Sequence, residues 1–338
     1  MLYPARSILA IDVSPFGKSL TLLPAMRALR ASYPQTLLVA AAPEGTCELL
    51  NACGLVDEII SLGVITPADG GLGGALKRLA GLVRGARHYN FDLVLDFSPS
   101  VETQLVSRAI LRARVFTTSK ISQVIGRLMD FGGASRSGAE STRSDYANVL
   151  QQAGVELIET RLAIAPTAEE DGRFEKRLAA SGSRGGELIV LLYGSPLGRG
   201  YWPIEAFGEI GKRLANNFNA RVVAADEPSD SAFTRAVSEL LPNGAIKLSE
   251  PRSMELISAI ARASIVVTDE PAIAQVASEL STPVIEIADT ASPQAVATST
   301  THRRARALSR SHVSAEEVFG IACEMIQENR SLSLFQRP

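Results

Sequence analysis

Short apolar runs alternate along this chain with longer segments in which apolar residues recur at helical spacing. Runs such as 188–192 contain no polar position, which is typical of strands buried on both faces of a parallel sheet. Segment 160–172 is interrupted by proline and separates two series of such runs. The pattern predicts strands at 7–13, 36–41, 58–61, 93–97 and 114–117, and then at 187–193, 221–225, 245–248, 264–268 and 283–287.

Helical spacing fills most of the intervals between these runs. Two series of alternating strands and helices predict an α/β protein with two doubly wound parallel-sheet domains and a cleft between them. We place the first domain at residues 1–162 and the second at 163–329. The closing segment 330–338 is expected to return to the first domain, because last helices often do so in this architecture.

Composition limits the class of protein. Among 338 residues, 46% are hydrophobic and 21% are charged, as in a folded globular protein. A net charge of −2 gives no general electrostatic reason to bind nucleic acid. Three cysteines and three histidines are scattered without metal-type or disulfide spacing, so we expect no metal, no cofactor and a cytoplasmic setting. The N-terminus lacks a signal-peptide pattern and no apolar run reaches about 18 residues, so any membrane contact is expected to be peripheral.

The turn after the first strand carries a chemical signal. Asp12 and Lys18 flank a Ser/Pro/Gly turn that leads directly into a helix. Free backbone N–H groups and the helix dipole meet at such a point, which therefore suits an anionic ligand. Gly17 and Lys18, followed by serine, also match the end of a phosphate-binding P-loop, but that loop needs a glycine where this chain has Asp12. A nucleoside triphosphatase is an alternative that rests on this fragment alone.

Further motifs extend the pattern through both halves: SPFG at 14–17, LLPAMRAL at 22–29, VDEII at 56–60, FDLVLD at 91–96, LLYGS at 191–195, YWPIEAF at 201–207 and VVTDE at 266–270. In this order they resemble glycosyltransferase family 9, the heptosyltransferases of lipopolysaccharide inner-core assembly. The resemblance covers nearly the whole chain. It implies a GT-B fold of two facing Rossmann-like domains. It also implies inverting transfer of a sugar from a nucleotide diphosphate donor, ADP-heptose by analogy, to a lipid-linked glycan at the inner face of the cytoplasmic membrane.

Inverting transfer needs a base near the acceptor hydroxyl, and positive charge or helix amides near the leaving diphosphate. The family places a carboxylate directly after the turn glycine, where this chain has Lys18, and a basic residue at the end of the first strand, where it has Asp12. Three interpretations stay open. Asp12 serves as the base while Lys18 binds phosphate or acceptor, or the two form a structural ion pair, or Asp12 caps the turn.

The acceptor is expected to contact Gly17 and the basic, partly apolar stretch 102–143, which contains Arg112 and Lys120. A basic and apolar surface suits a phosphorylated lipid at a membrane. The alternative is ordinary helices with solvated arginines and buried aliphatic residues.

In the second half, the resemblance implies a nucleotide-sugar site made of Ser195, Arg199, Asp230, Glu270, Ala272 and Gln275. Gly200 stands where the family has a lysine, and the neighbouring Arg199 either reaches phosphate oxygens or stays an exposed loop residue. Asp230 either faces the ribose or caps the following helix. Trp202 is expected to fix a helix start in the core.

The residues Glu270, Ala272 and Gln275 replace the Asp, Gly and His of the family motif at a helix start. The backbone amides of that helix remain whatever its side chains are. The sequence therefore predicts a metal-independent glycosyltransferase. Because Lys18, Gly200 and Gln275 depart from the family pattern, the alternative is a catalytically inactive relative that acts as a binding or assembly protein.

Overall fold

The computed structural model describes residues 2–14, 16–63, 80–98, 103, 113–117, 139–157, 161–180, 189–194, 202–226, 232–242, 244–249, 251–288, 305–310 and 313–335. The chain divides into two compact units, Met1–Leu162 and Ala163–Pro338. Within the described part of the chain, every helix is too short or too polar to cross a membrane.

The first unit is built around strands that alternate with helices. In chain order it contains β1 (Ser7–Ile11), α1 (Phe16–Ser19), α2 (Leu22–Ser32), β2 (Leu37–Ala42), α3 (Glu44–Ala52), β3 (Glu58–Ser61), β4 (Leu93–Asp96), β5 (Arg114–Thr117) and α4 (Ala139–Gln152). Residues 80–86 are also helical.

The second unit repeats the alternation. It contains α5 (Ala168–Ala180), β6 (Ile189–Tyr193), α6 (Ile204–Phe218), β7 (Arg221–Ala225), α7 (Ala232–Ser238), β8 (Ile246–Leu248), α8 (Ser253–Arg262), β9 (Ile265–Thr268), α9 (Pro271–Glu279), β10 (Val284–Ala288), β11 (Ala305–Ser309) and α10 (Ala315–Phe335).

The described strands of each unit form one parallel sheet. The strand orders are β3-β2-β1-β4-β5 and β11-β10-β9-β6-β7-β8. All pairings between these strands are parallel. In both sheets the first strand lies inside. The next two strands are added on one side of it, and the later strands are added on its other side. This is the strand order of a doubly wound nucleotide-binding fold. The predicted α/β class with two parallel-sheet domains is confirmed.

Strand alternation decides which side chains meet which helices in the second sheet. Leu192 of β6 and Ile285 and Ile287 of β10 belong to the buried cluster that includes residues of α6 and α10. Because successive side chains of a strand point to opposite faces, Tyr193 and Glu286 lie on the other face of this sheet. Helix α9 packs against β9 and β10. It contributes no residue to the cluster of α6 and α10, and a right-handed crossover from β9 to β10 places it on the other face.

Three elements differ from the predicted pattern. Strand β11 was not predicted, since its sequence Ala-Arg-Ala-Leu-Ser is weakly apolar and only its first residue is buried. The predicted first helix is two helices, α1 and α2, which meet at Leu20–Thr21. Helix α10 continues to Phe335, into the closing segment 330–338 that we placed after the second domain. Whether the closing segment reaches the first unit stays a prediction.

Gly194, directly after β6, lies against two aromatic rings. A Cβ atom at this position would lie 2.7 Å from a ring carbon of Phe233 and 3.0 Å from the ring of Phe207. The Phe207 ring itself packs edge-on against Trp202, with ring centroids 5.0 Å apart. Backbone can leave β6 so close to the aromatic cluster only because residue 194 lacks a side chain.

We predict that Gly194→Ala lowers the free energy of unfolding of the second unit by roughly 1–3 kcal/mol, because the new methyl group overpacks the rings. The matched control is Gly320→Ala in α10, where a Cβ atom meets nothing within 4 Å. This control should raise stability by about 0.5–1 kcal/mol, as alanine does in an exposed helix. Denaturant unfolding followed by fluorescence of the single tryptophan measures both, and equal effects of the two changes would contradict the packing argument.

Candidate functional site

The turn after β1 is held by short polar contacts. The Ser14 amide donates to Oδ1 of Asp12 at 3.0 Å, and the Ser19 hydroxyl donates to the Ser14 carbonyl at 3.2 Å. The Val13 amide donates to the hydroxyl of Ser98, beyond the end of β4. These bonds bring the chain from β1 into α1 within a few residues.

Asp12 is enclosed by this turn. The residue is 1% exposed, and its Oδ2 has no hydrogen-bond partner among the described residues. The bond from Ser14 is the turn-capping contact that the sequence left open as one role for Asp12. Gly17 and Lys18 lie in α1, and the side chain of Lys18 is outside the described part of the structure, so the ion-pair and base interpretations stay predictions.

Tyr146 of α4 is a neighbour of this turn that sequence reasoning missed. Its side chain is 1% exposed and packs edge-on against Phe97, with ring centroids 5.3 Å apart. Burial raises the pKa of Tyr146 well above its ordinary value, and the charge of Asp12 adds to this rise. A buried phenol therefore lies within electrostatic reach of the buried carboxyl group of Asp12. No feature of the sequence near residue 146 indicates this contact.

In the second unit, the end of β9 leads directly into α9. Asp269 is buried, and its Oδ2 accepts the Trp202 amide at 3.1 Å. The Thr268 hydroxyl accepts the amide of Glu270 at 3.0 Å. Trp202 is 3% exposed, as expected for a residue that fixes the start of α6 in the core.

One backbone N–H group in the first turn of α9 has no hydrogen bond within the helix. Pro271 has no N–H, and the amides of Ile273 and Ala274 bond the Glu270 carbonyl at 3.1 and 3.2 Å. The amide of Ala272 has no carbonyl within the helix to bond, as is general for a first helical turn. The helix start therefore keeps an N–H group and the positive end of its dipole for an anion.

Gln275 lies one turn further along α9. Its side-chain amide donates to Oε1 of Glu279 at 3.1 Å. The side chain of Ala272 is buried, and that of Glu270 makes no capping bond to the helix. Roles for these residues toward a nucleotide sugar stay predictions.

Asp226 caps a helix in a way that the sequence did not reveal. It follows β7, is 2% exposed, and accepts the amides of Phe233 and Thr234 at 2.9 and 3.0 Å. These are amides at the start of α7 that we had considered for capping by Asp230. A carboxylate directly after a buried strand is the signal that could have identified Asp226.

A row of side chains crosses the carboxyl edge of the second sheet. Tyr193 of β6 and Glu286 of β10 are both in register with Thr268 of β9. Glu286 is 5% exposed and lies within an otherwise apolar strand. Burial raises the pKa of Glu286 to about 7, although the positive charge of Arg310 acts in the opposite direction.

Glu286 should make the stability of the second unit depend on pH. Its pKa is about 7 when folded and near 4.5 when unfolded, so the folded chain binds more protons between these values. The contribution of Glu286 to the free energy of unfolding is therefore fully present below pH 4.5 and is lost as pH rises to 7. Relative to wild type, Glu286→Gln should gain about 2 kcal/mol of unfolding free energy between pH 5 and pH 8.

Urea unfolding at a series of pH values measures this difference. The matched control is Glu324→Gln, at an exposed glutamate of α10, which should follow the wild-type profile. A Glu286→Gln profile parallel to wild type would contradict the assignment of a buried, neutral carboxyl group.

The remaining predicted site residues lie outside the described residues: Arg112, Lys120, Ser195, Arg199 and Asp230. Most of the basic stretch 102–143 is outside them as well. Among the residues that are described, no cluster of three His, Cys, Asp or Glu side chains could hold a metal ion.

Comparison with known proteins adds to this geometry. The sequence matches no protein-family model and no curated protein. Among solved structures, a family 9 glycosyl transferase from Veillonella parvula DSM 2008 has a TM-score of 0.69 at 16% identity, over 97% of this chain and 99% of that one. The E. coli ADP-heptose lps heptosyltransferase II has a TM-score of 0.65 at 16% identity, over 96% and 99%.

A third similar structure is the E. coli heptosyltransferase WaaC with ADP-2-deoxy-2-fluoro heptose, with a TM-score of 0.59 at 16% identity over 96% and 99% of the two chains. Identities at this level show the fold alone. The chain therefore has a GT-B fold built from two parallel-sheet α/β domains. Within that class it resembles the family 9 structures, heptosyltransferases among them, as the sequence motifs indicated.

Proposed function

We propose that this chain is an inverting glycosyltransferase that moves a sugar, a heptose by analogy, from a nucleoside diphosphate donor to a lipid-linked glycan of the lipopolysaccharide type. The observation that carries the proposal is the similarity to heptosyltransferase structures over at least 96% of the chain. We propose that it acts at the inner face of the cytoplasmic membrane, where such an acceptor is presented.

The donor part of the proposal rests on the start of α9. A diphosphate accepts hydrogen bonds from the Ala272 amide and is favoured by the helix dipole. Preorganised amides also stabilise the charge that develops on a leaving diphosphate, so the reaction needs no metal for that purpose. Ser195, Arg199, Asp230, Glu270 and Gln275 remain the side chains that we expect to complete the donor site.

The acceptor part of the proposal rests on the turn after β1. Oδ2 of Asp12 is the carboxylate oxygen that Ser14 leaves without a bond, and we assign it the role of base toward the acceptor hydroxyl. Lys18 and Gly17 lie in the adjoining helix α1, where they would contact acceptor oxygens. Arg112 and Lys120 are expected to bind phosphate groups of the acceptor.

One observation favours a second candidate function, a binding or assembly protein that keeps the fold without catalysis. Asp12 is 1% exposed and already accepts the Ser14 amide. This environment suits a structural role better than the role of an accessible base. Both candidates bind a nucleotide diphosphate in the second unit, and only the first turns it over.

Nucleotide binding is the first test. We expect calorimetry with ADP, UDP, GDP and CDP to show binding of at least one of them, because the helix start of α9 recognises the diphosphate common to all. Absence of binding by every nucleotide would contradict both the transferase and its inactive relative.

Asp12→Asn tests the base. Asparagine keeps an oxygen for the Ser14 amide but cannot take up a proton, so donor binding should persist while sugar transfer falls about 100-fold or more. The matched control is Asp145→Asn, an exposed carboxylate of α4 beside Tyr146, which should leave transfer unchanged. Transfer by Asp12→Asn at the wild-type rate would leave Asp12 with the turn-capping role only.

A further inference from the structure

Glu286 lies close to the helix start to which we assign the donor diphosphate. Its backbone partner in β9 is Thr268, and the two strands are about 4.8 Å apart, as in any sheet. The hydroxyl of Thr268 in turn bonds the amide of Glu270, the residue from which α9 begins. Thr268 therefore lies between the strand residue Glu286 and the residue from which α9 begins.

The surroundings of Glu286 do not supply what an ionised carboxylate requires. The residue is 5% exposed, and no hydrogen bond or ion pair reaches its carboxyl group from the part of the chain that the structure describes. Burial without hydrogen bonds disfavours the charged form. Such a group takes up a proton readily when further negative charge arrives nearby.

The charges on the neighbouring elements determine how this group responds. Arg310 follows β11 and favours the ionised form of Glu286, while two of its own buried nitrogens, Nε and Nη1, have no hydrogen-bond partner among the described residues. The other charged residues on the packed elements are Arg306 in β11, Asp269 and Glu270 after β9, and Glu279 at the far end of α9.

We infer that the donor site is proton-linked through Glu286: an anionic diphosphate at the start of α9 binds with uptake of a proton by this carboxyl group. The inference rests on the proposed function, because it requires the diphosphate to bind there. Negative charge on the ligand raises the cost of the ionised carboxylate, so the two equilibria are coupled. By linkage, protonation of Glu286 must strengthen diphosphate binding by the same factor.

The coupling predicts a pH-dependent affinity. Between pH 6 and pH 8, the affinity of wild type for ADP should fall about threefold further than that of Glu286→Gln. Coulomb's law gives a full coupling of about fourfold for two negative charges roughly 10 Å from a unit charge in a water-like dielectric, and with a pKa near 7 part of it falls outside this pH range. Protonation of ADP itself affects its binding to both proteins equally, so it cancels when the two affinities are compared. Binding to wild type near pH 7 should also take up roughly a third of a proton more than binding to the variant.

Calorimetric titration of the full chain with ADP, in two buffers of different ionisation enthalpy, measures both quantities. A second variant, Arg310→Gln, removes the charge that favours the ionised form and should move the pH profile of ADP affinity to higher pH. Thermal unfolding of each variant at pH 5.5 checks that the fold is intact.

The outcomes separate this inference from the proposed function. A steeper decrease of affinity in wild type than in Glu286→Gln, with the shifted profile of Arg310→Gln, supports the coupling. ADP binding with parallel pH profiles in wild type and Glu286→Gln overturns the coupling and leaves the proposed function standing. No binding of ADP or any other nucleoside diphosphate at any pH overturns the proposed function, and the coupling with it.

Discussion

All described strands of both sheets run parallel, and the position of the polar residues at the sheet edges follows from this. In both sheets the parallel direction gathers the carboxyl ends of the strands, and the loops that follow them, at a single edge. Asp12, Asp226 and Asp269 each come directly after a strand, and all three are nearly fully buried. Each accepts a backbone N–H from the following segment or from a neighbouring one. The carboxylates at these edges therefore hold loops and helix starts in place.

The donor site that we propose depends on backbone groups, so it tolerates changes in side chains. The amide of Ala272 is positioned by Pro271, by the Glu270 carbonyl and by the sheet below, none of which depends on the residues that differ from the family motif. The family motif has histidine where this chain has Gln275, and the helix dipole does not depend on that side chain. In the donor site that we propose, side chains adjust the affinity and the backbone fixes the geometry.

Long apolar runs made the architecture readable from sequence, because a strand buried on both faces leaves an unbroken hydrophobic signal. Strand β11 was missed because an edge strand needs less burial. Only the first residue of Ala305–Ser309 is buried, so the strand leaves no apolar run in the sequence. Motif order also anticipated the GT-B fold. The contacts of Tyr146 and Glu286 could not be predicted in the same way, since each depends on residues far away in the chain that only the sheet register brings together.

The proposed function depends above all on binding of a nucleotide diphosphate to the second unit. The decisive measurement is a crystal structure of the chain soaked with ADP or an ADP-sugar. We expect diphosphate oxygens within hydrogen-bond distance of the Ala272 amide, at the start of α9. Well-ordered nucleotide bound away from α9, or an empty helix start at saturating nucleotide, would contradict it.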